Sequence, residues 1–339
     1  MQNARHYCWI LAGLLAACSN NDSDDDLIGN WIEKSELAGK PRSEAVAFTI
    51  NDTAYIGTGY DGEKYLRDFW KYTANGGWIT QIAELPAAAA ARGSAVAMVI
   101  DGKAYVGTGF DGYNRLNDFW AYSPVTGQWE PKAPLVDPNP SIDLSRRDAV
   151  SFVLKGKGYV ATGNDGGALK DVWQYDPGSD SWASKNTFGG SKRTEALAFV
   201  IGEKAYIVTG TNNNELKNDF WEYNPDTDLW TEKRKISDVT DDDFDNDYDV
   251  VRSNAVVFIM NNKAYISTGS KGGLSTHTWE YNAVDDIWTK RTDFEGTART
   301  GAVAFTLDGK GYVCAGRTSS LPLDDLYQFD PLAAYEEND

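Results

Sequence analysis

At 339 residues the chain exceeds one ordinary compact domain, and 50 acidic against 32 basic residues give it a formal charge of −18. A field of that sign repels nucleic acid and anionic headgroups, which excludes both as partners of the folded domain. Aromatics at 13%, twelve Trp among them, and 32 Gly beside 11 Pro suit many short strands joined by tight turns.

At the N-terminus Arg5 precedes the apolar run YCWILAGLLAA (7–17), too short to span a bilayer, and LAAC ends at Cys18. This resembles a bacterial lipoprotein signal, which implies cleavage after residue 17 and acylation of Cys18; the alternative is a plain secretory signal with an incidental Cys. SNNDSDDD (19–26) reads as a solvated tether. Ser19 directly after the Cys is similar to the outer-membrane sorting pattern of Gram-negative lipoproteins, and the acidic run resembles the surface-export signal of Bacteroidetes lipoproteins. The expected organisation is therefore a signal peptide (1–17), a lipidated Cys with an acidic tether (18–26) and a folded domain (27–339). The protein is expected on the outer membrane, surface-exposed or in the periplasmic leaflet, held through its lipid alone. Losing Arg5 leaves 31 basic and 50 acidic residues, a charge of −19, and Cys314 is then the one thiol without lipid, so no disulfide is expected.

Six copies of one phrase follow, each opened by an Arg: Arg42, Arg92, Arg146, Arg193, Arg252 and Arg299. The small-apolar runs after them, such as AVAFTI (45–50) and AVAMVI (95–100), predict strands buried on both faces. Pairs such as Asn51-Asp52 and Asp101-Gly102 suit two-residue hairpin turns with positive φ. A second strand carries Tyr55, Tyr105, Tyr159, Tyr206, Tyr265 or Tyr312 and ends in a Gly that lies 17 residues beyond the Arg in all six copies. A third strand reads DFWKY, DFWAY, DVWQY, DFWEY, HTWEY or DLYQF, and a fourth is marked by Trp78, Trp129, Trp182, Trp230 and Trp288. The sixth copy lacks its fourth strand. Trp31, however, precedes Arg42 by the same eleven residues that separate Trp182 from Arg193. The N-terminal strand is thus expected to complete the last sheet and close a ring without a free edge.

Arg at the start, Gly closing strand two, aromatic–x–Tyr on strand three and Trp on strand four resemble kelch repeats over about residues 30–331. The resemblance implies an all-β, six-bladed β-propeller with four antiparallel strands per blade. One departure is that the Gly pair usual at the end of strand two is here Thr-Gly (Thr58-Gly59 and its counterparts) or Ala315-Gly316. The recurrent Tyr and Trp are expected to be core, buried between blades that cannot hide their apolar faces alone.

Where the copies disagree, the Trp-to-Arg connector grows from 11 residues to 14, 17 and 22, so function is expected on the face that carries these loops. The six Arg are expected to ring the channel mouth on that face, with Glu44, Asp148, Glu195, Asp61, Asp111 and Asp165 available to balance them. Two readings stay open. Each Arg is a blade-to-blade clasp, or several of them, with Asp61, Asp111 and Asp165, bind an anionic or polyhydroxylated ligand through bidentate hydrogen bonds. The longest insertion holds Asp243, Asp245 and Asp247, alternate oxygens that suit Ca²⁺, but Tyr248 and Asn254 stand where an EF-hand needs Gly and Glu; the competing reading is a solvated acidic loop.

No cofactor is expected. His277 is the one histidine beyond the signal segment, too few for a copper-radical site of the galactose-oxidase type or for a His-based zinc site. The leading reading is a monomeric, lipid-anchored, non-catalytic propeller that binds a glycan or another envelope protein. The alternative rests on resemblance to the sialic-acid mutarotases, also secreted six-bladed kelch propellers, and implies a sugar-active enzyme with Glu44 or Glu195 as acid or base at the channel mouth.

Overall fold

The computed structural model describes residues 28–337, so the signal, Cys18 and the tether lie outside the described residues. Those residues form six four-stranded antiparallel sheets arranged as the blades of a β-propeller, and no helix is present among them. The first blade shows the plan: Val46–Ile50 innermost, then Thr53–Gly57, Phe69–Thr73 and Gly77–Ile82 outward. The fourth blade adds a two-stranded ladder, Thr211–Asn212 with Glu215–Leu216, in the loop between its second and third strands. In the last blade, Val303–Leu307, Lys310–Cys314 and Leu326–Ala334 are joined by Ile28–Glu33, with Trp31 opposite Phe329 and Glu33 opposite Tyr327. Closure by the N-terminal strand is therefore as the spacing predicts.

Trp31 makes that seam firm. It is fully buried, packs 4.9 Å from Phe294 and 4.7 Å from Phe329, and donates its indole N–H to the Thr292 carbonyl at 3.2 Å. Five of the six blades also stack the first-strand Phe on the second-strand Tyr, as Phe152 on Tyr159 at 4.9 Å and Phe305 on Tyr312 at 5.0 Å, while the second blade sets Met98 opposite Tyr105. Such side chains contribute roughly 150–250 Å² of buried surface apiece, which is why the aromatic columns recur.

The innermost strands differ from expectation. They alternate buried and half-buried residues, while the second strands are buried at four successive positions. Fully two-sided burial belongs to the second strand because it lies between other strands and other blades; one face of the first lines the channel. The hairpin turns behave as read, with Asn51 and Asp52 at φ 46° and 55° and Asp308 and Gly309 at 49° and 70°.

Candidate active site

The six arginines are not at the mouth. Arg42, Arg92, Arg146, Arg193, Arg252 and Arg299 are 0–1% exposed, each lying inside its own blade. Arg92 donates through Nε to Ala90 O, through Nη1 to Thr108 O and, in a two-pronged pair, to both carboxylate oxygens of Asp118 at 2.7 and 2.8 Å. Arg42 does the same with Asp68, Arg146 with Asp171 and Arg299 with Asp325, while Arg193 reaches one oxygen of Asp219. In the first four blades the same carboxylate also accepts the indole N–H of the Trp two residues on, as Asp118 does from Trp120 at 2.7 Å. Burial opposes ionisation of Asp68, Asp118, Asp171 and Asp219, but the Arg hydrogen bonds and charge outweigh it and hold all four below the usual carboxylate range. Four of the five N–H donors of Arg92 are spent inside its blade and the side chain is fully buried, so it is closed to a ligand. This corrects the ligand-binding expectation. The arginines are clasps within a blade, and the blade-to-blade link runs through their carbonyls: Gly59 N donates to Arg92 O at 2.7 Å, and so on around to Gly316 N and Arg42 O at 2.8 Å. Gly is required at that donor, since a Cβ on Gly59 would stand 2.6 Å from Ser43 O.

Asp61, Asp111 and Asp165 do not face the arginines either. Asp61 accepts the amides of Glu63 and Lys64 and the ammonium of Lys40, Asp111 the amides of Tyr113 and Asn114, and Asp165 that of Gly167. They tie down their own loops. The calcium expectation also fails: among the described residues no three His, Cys, Asp or Glu side chains are placed to hold a metal. Asp245 is buried and accepts Thr240 N at 3.2 Å and Thr240 Oγ1 at 2.8 Å, while Asp243 and Asp247 point into a different hollow. Nor is the insertion a merely solvated loop, because Ile236, Tyr248, Val250 and Val251 anchor it in the core with Trp279 and Trp288.

Two residues beyond each Arg, the chain does reach the mouth. Glu44, Ser94, Asp148, Glu195, Asn254 and Gly301 all adopt the left-handed conformation, φ 49–63°. Their backbones form a closed circle: Ser94 N donates to Glu44 O (2.9 Å), Asp148 N to Ser94 O (3.1 Å), Glu195 N to Asp148 O (3.1 Å), Asn254 N to Glu195 O (3.2 Å), Gly301 N to Asn254 O (3.1 Å) and Glu44 N to Gly301 O (2.8 Å). The predicted pair Glu44 and Glu195 is thereby brought onto one rim with Asp148. Asp148, whose side chain is 14% exposed, has its carboxyl pushed up to about 6. Burial is the main cause, reinforced by the charges of Glu195 and Glu44 and partly offset by Ser94 and Arg147.

A second hollow of about 320 Å³ adjoins the rim and shares Glu44 with it. Its wall carries Tyr60, Tyr65, Arg147 and Arg317. Arg147 lies over the Phe110 ring at 5.1 Å, and Phe110 meets Tyr65 edge-on at 5.9 Å, so an aromatic shelf crosses from the third blade to the first. Both arginines break the repeat. Arg147 stands where other copies have Ser43, Gly93, Thr194, Ser253 or Thr300, and Arg317 where they have Tyr60, Phe110, Asn164, Thr211 or Ser270. Sequence reading missed these two and Asp148's role; the doubled Arg146-Arg147 was the available signal. Asp148 with its raised carboxyl beside Glu44 and Glu195, together with two cations and an aromatic shelf, can bind an anionic polyol and move protons on it.

A closed ring of six four-stranded repeats around one channel defines a repeat-built propeller. The model for the KLHDC2/KLHL20/DRC7 Kelch-repeats domain matches residues 30–195, and that for the Kelch motif matches residues 192–235. The chain belongs to the kelch-repeat β-propeller family. Among curated proteins, an N-acetylneuraminate epimerase from Yersinia enterocolitica serotype O:8 / biotype 1B (strain NCTC 13174 / 8081) is 35% identical over 79 residues, 21% of this chain; the match spans a fifth (20%) of that relative's length. Among solved structures, that of YjhT superposes with a TM-score of 0.70 at 18% identity, covering 86% of this chain and 95% of the other. At that identity the likeness is one of fold.

Proposed function

We propose that the channel mouth takes an acidic sugar and exchanges its anomers by acid–base catalysis, on a protein held at the outer membrane by the lipid on Cys18. The observation that carries this reading is the placement of Asp148, Glu44 and Glu195 on the rim beside a hollow, sharing Glu44, whose wall carries Arg147 and Arg317. Anomer exchange requires a base to take the proton of the anomeric hydroxyl and an acid to protonate the ring oxygen; after rotation the steps reverse from the other face. A carboxyl pushed up to about 6, as that of Asp148 is, serves as base or acid near neutral pH. Arg147 and Arg317 supply the charge that holds a sugar carboxylate, and the Tyr65–Phe110 shelf supplies its apolar floor. The partial likeness to a protein named for epimerising N-acetylneuraminate supports the same chemistry.

The test is the exchange rate between N-acetylneuraminate anomers, read by NMR. The protein should accelerate it, with a limb of the pH profile near 6 that Asp148→Asn abolishes along with roughly 100-fold of the rate. Binding of the sugar without acceleration would leave the non-catalytic glycan-binding module as the function, a reading favoured by the long connectors on the face that carries the mouth.

A further inference from the structure

The fifth blade departs from the others where the third strand begins. His277 replaces the clasping Asp, and Arg252 is left with carbonyl acceptors alone: Val250 O, Thr268 O, His277 O and Asp249 O. Two things follow from the exchange. The indole N–H of Trp279, which in the first four blades would be received by the Asp two residues back, has no acceptor among the described residues; neither has that of Trp288. The longest insertion, anchored by Ile236, Tyr248 and Val250, forms one wall of an open hollow of about 520 Å³ beside them, the scale of a small-molecule site.

The lining of that hollow has unspent hydrogen-bonding capacity. His277 is fixed by its Nδ1 on Asp249 Oδ2 at 3.0 Å, which leaves Nε2 on the open side, 3.8 Å from Asp293 and beyond a hydrogen bond. Lys290 Nζ lies 3.9 Å from Asp293 and is similarly loose. Asp243 and Asp247 stand exposed at the rim as acceptors. Donors and acceptors thus share the lining with apolar surface from Trp279, Trp288 and Phe244. A ligand that satisfies such a wall carries hydroxyls able to donate and accept on an otherwise apolar ring face, which is the chemistry of a pyranose. The exposed carboxylates of Asp243 and Asp247 at the rim favour a neutral saccharide over an anionic one.

The geometry points to a second binding site here, on the flank of the fifth blade, for a neutral saccharide, separate from the channel mouth and independent of its function. The test is titration of the protein with neutral oligosaccharides (cellohexaose, xylohexaose, mannohexaose and maltohexaose), following the indole N–H resonances of Trp279 and Trp288. At least one should shift both signals at millimolar concentration. Asp247→Ala and Lys290→Ala, at exposed positions that the fold does not need, should weaken that binding at least tenfold, whereas Asp148→Asn at the mouth should leave it unchanged. If no oligosaccharide moves these resonances at 10 mM, or if both flank variants bind like the parent, the site does not exist. Binding lost in Asp148→Asn instead would assign the ligand to the mouth.

Discussion

Two circles of residues run around the channel only two positions apart in sequence, and they obey opposite rules. In the outer one every blade has the same residue, because the Arg side chain itself makes the bonds. In the inner one each of the six positions is filled by whatever residue tolerates φ near 55°: Glu, Ser, Asp, Glu, Asn and Gly. There the backbone makes the bonds of the circle, which place no demand on the side chain. A repeat scaffold can therefore vary its chemistry only where the main chain carries the load, which is why a candidate site arises at the second circle and not at the first.

The largest effect expected from that contrast is in the outer circle. Asp219→Ala would strand the fully buried Arg193 and the indole of Trp221 together, and breaking a buried pair from one side costs about 3–5 kcal/mol. Urea unfolding should show it as a lower midpoint with an unchanged slope. A cost below 1 kcal/mol would mean that the carbonyls alone hold the arginine.

In the inner circle the corresponding change acts with the opposite sign. Asp148 binds its proton more tightly in the folded protein than in the unfolded chain, so it favours folding below about pH 4 and that advantage is lost as pH climbs through 6. A rise from the ordinary 3.8 to about 6, at about 1.4 kcal/mol per pH unit, corresponds to about 3 kcal/mol at most. Asp148→Asn should therefore raise stability by about 2–3 kcal/mol at pH 8, with little effect at pH 4, while it removes anomer exchange. Equal stabilisation at both pH values would break the link to titration.

The fifth blade tests whether the outer circle needs its carboxylate. His277→Asp restores the repeat, offering Arg252 and Trp279 the acceptor they have in the other blades, at the cost of placing a second carboxylate beside Asp249. The balance should be a gain of about 1 kcal/mol, a rise in Tm of about 2 °C by calorimetry. A fall in Tm would show that the fifth blade has been rebuilt around the His.

Most of the fold was legible because the constraints behind it fall on side chains. The Arg-to-Gly spacing, the Tyr and Trp columns and the displaced strand at Trp31 each mark a packing requirement that recurs. The Arg partners were legible in principle, since Asp68, Asp118, Asp171, Asp219 and Asp325 form a column that begins strand three; but which columns touch depends on how the sheet folds back, and that is not a property of spacing. The inner circle was invisible as a circle. A demand for positive φ selects no single residue type, so Glu44, Ser94 and Gly301 look unrelated in sequence. The anchoring of the acidic insertion lay in four apolar residues that its aspartates overshadowed.

The smallest expected effect concerns the Thr that replaces the family's usual Gly. Thr58, Thr108, Thr162, Thr209 and Thr268 take φ of 56–62°, an uncommon region for a β-branched residue, and each buries a hydroxyl without a partner among the described residues. Their carbonyls, not their side chains, receive the clasping Arg. The sixth blade keeps the same backbone, φ 62°, with Ala315, and its carbonyl accepts Arg299 at 3.0 Å. Thr58→Ala should therefore be accommodated without movement. Removing an unpartnered buried hydroxyl and a β-branch in the left-handed region favours the variant by about 1–2 kcal/mol, and loss of one buried methyl opposes it by about 0.8 kcal/mol. A net gain of about 0.5–1 kcal/mol is expected in urea unfolding at pH 7. A loss above 1 kcal/mol would mean that the hydroxyl is bonded to a trapped water, and the five threonines would then belong to the clasp as much as the arginines do.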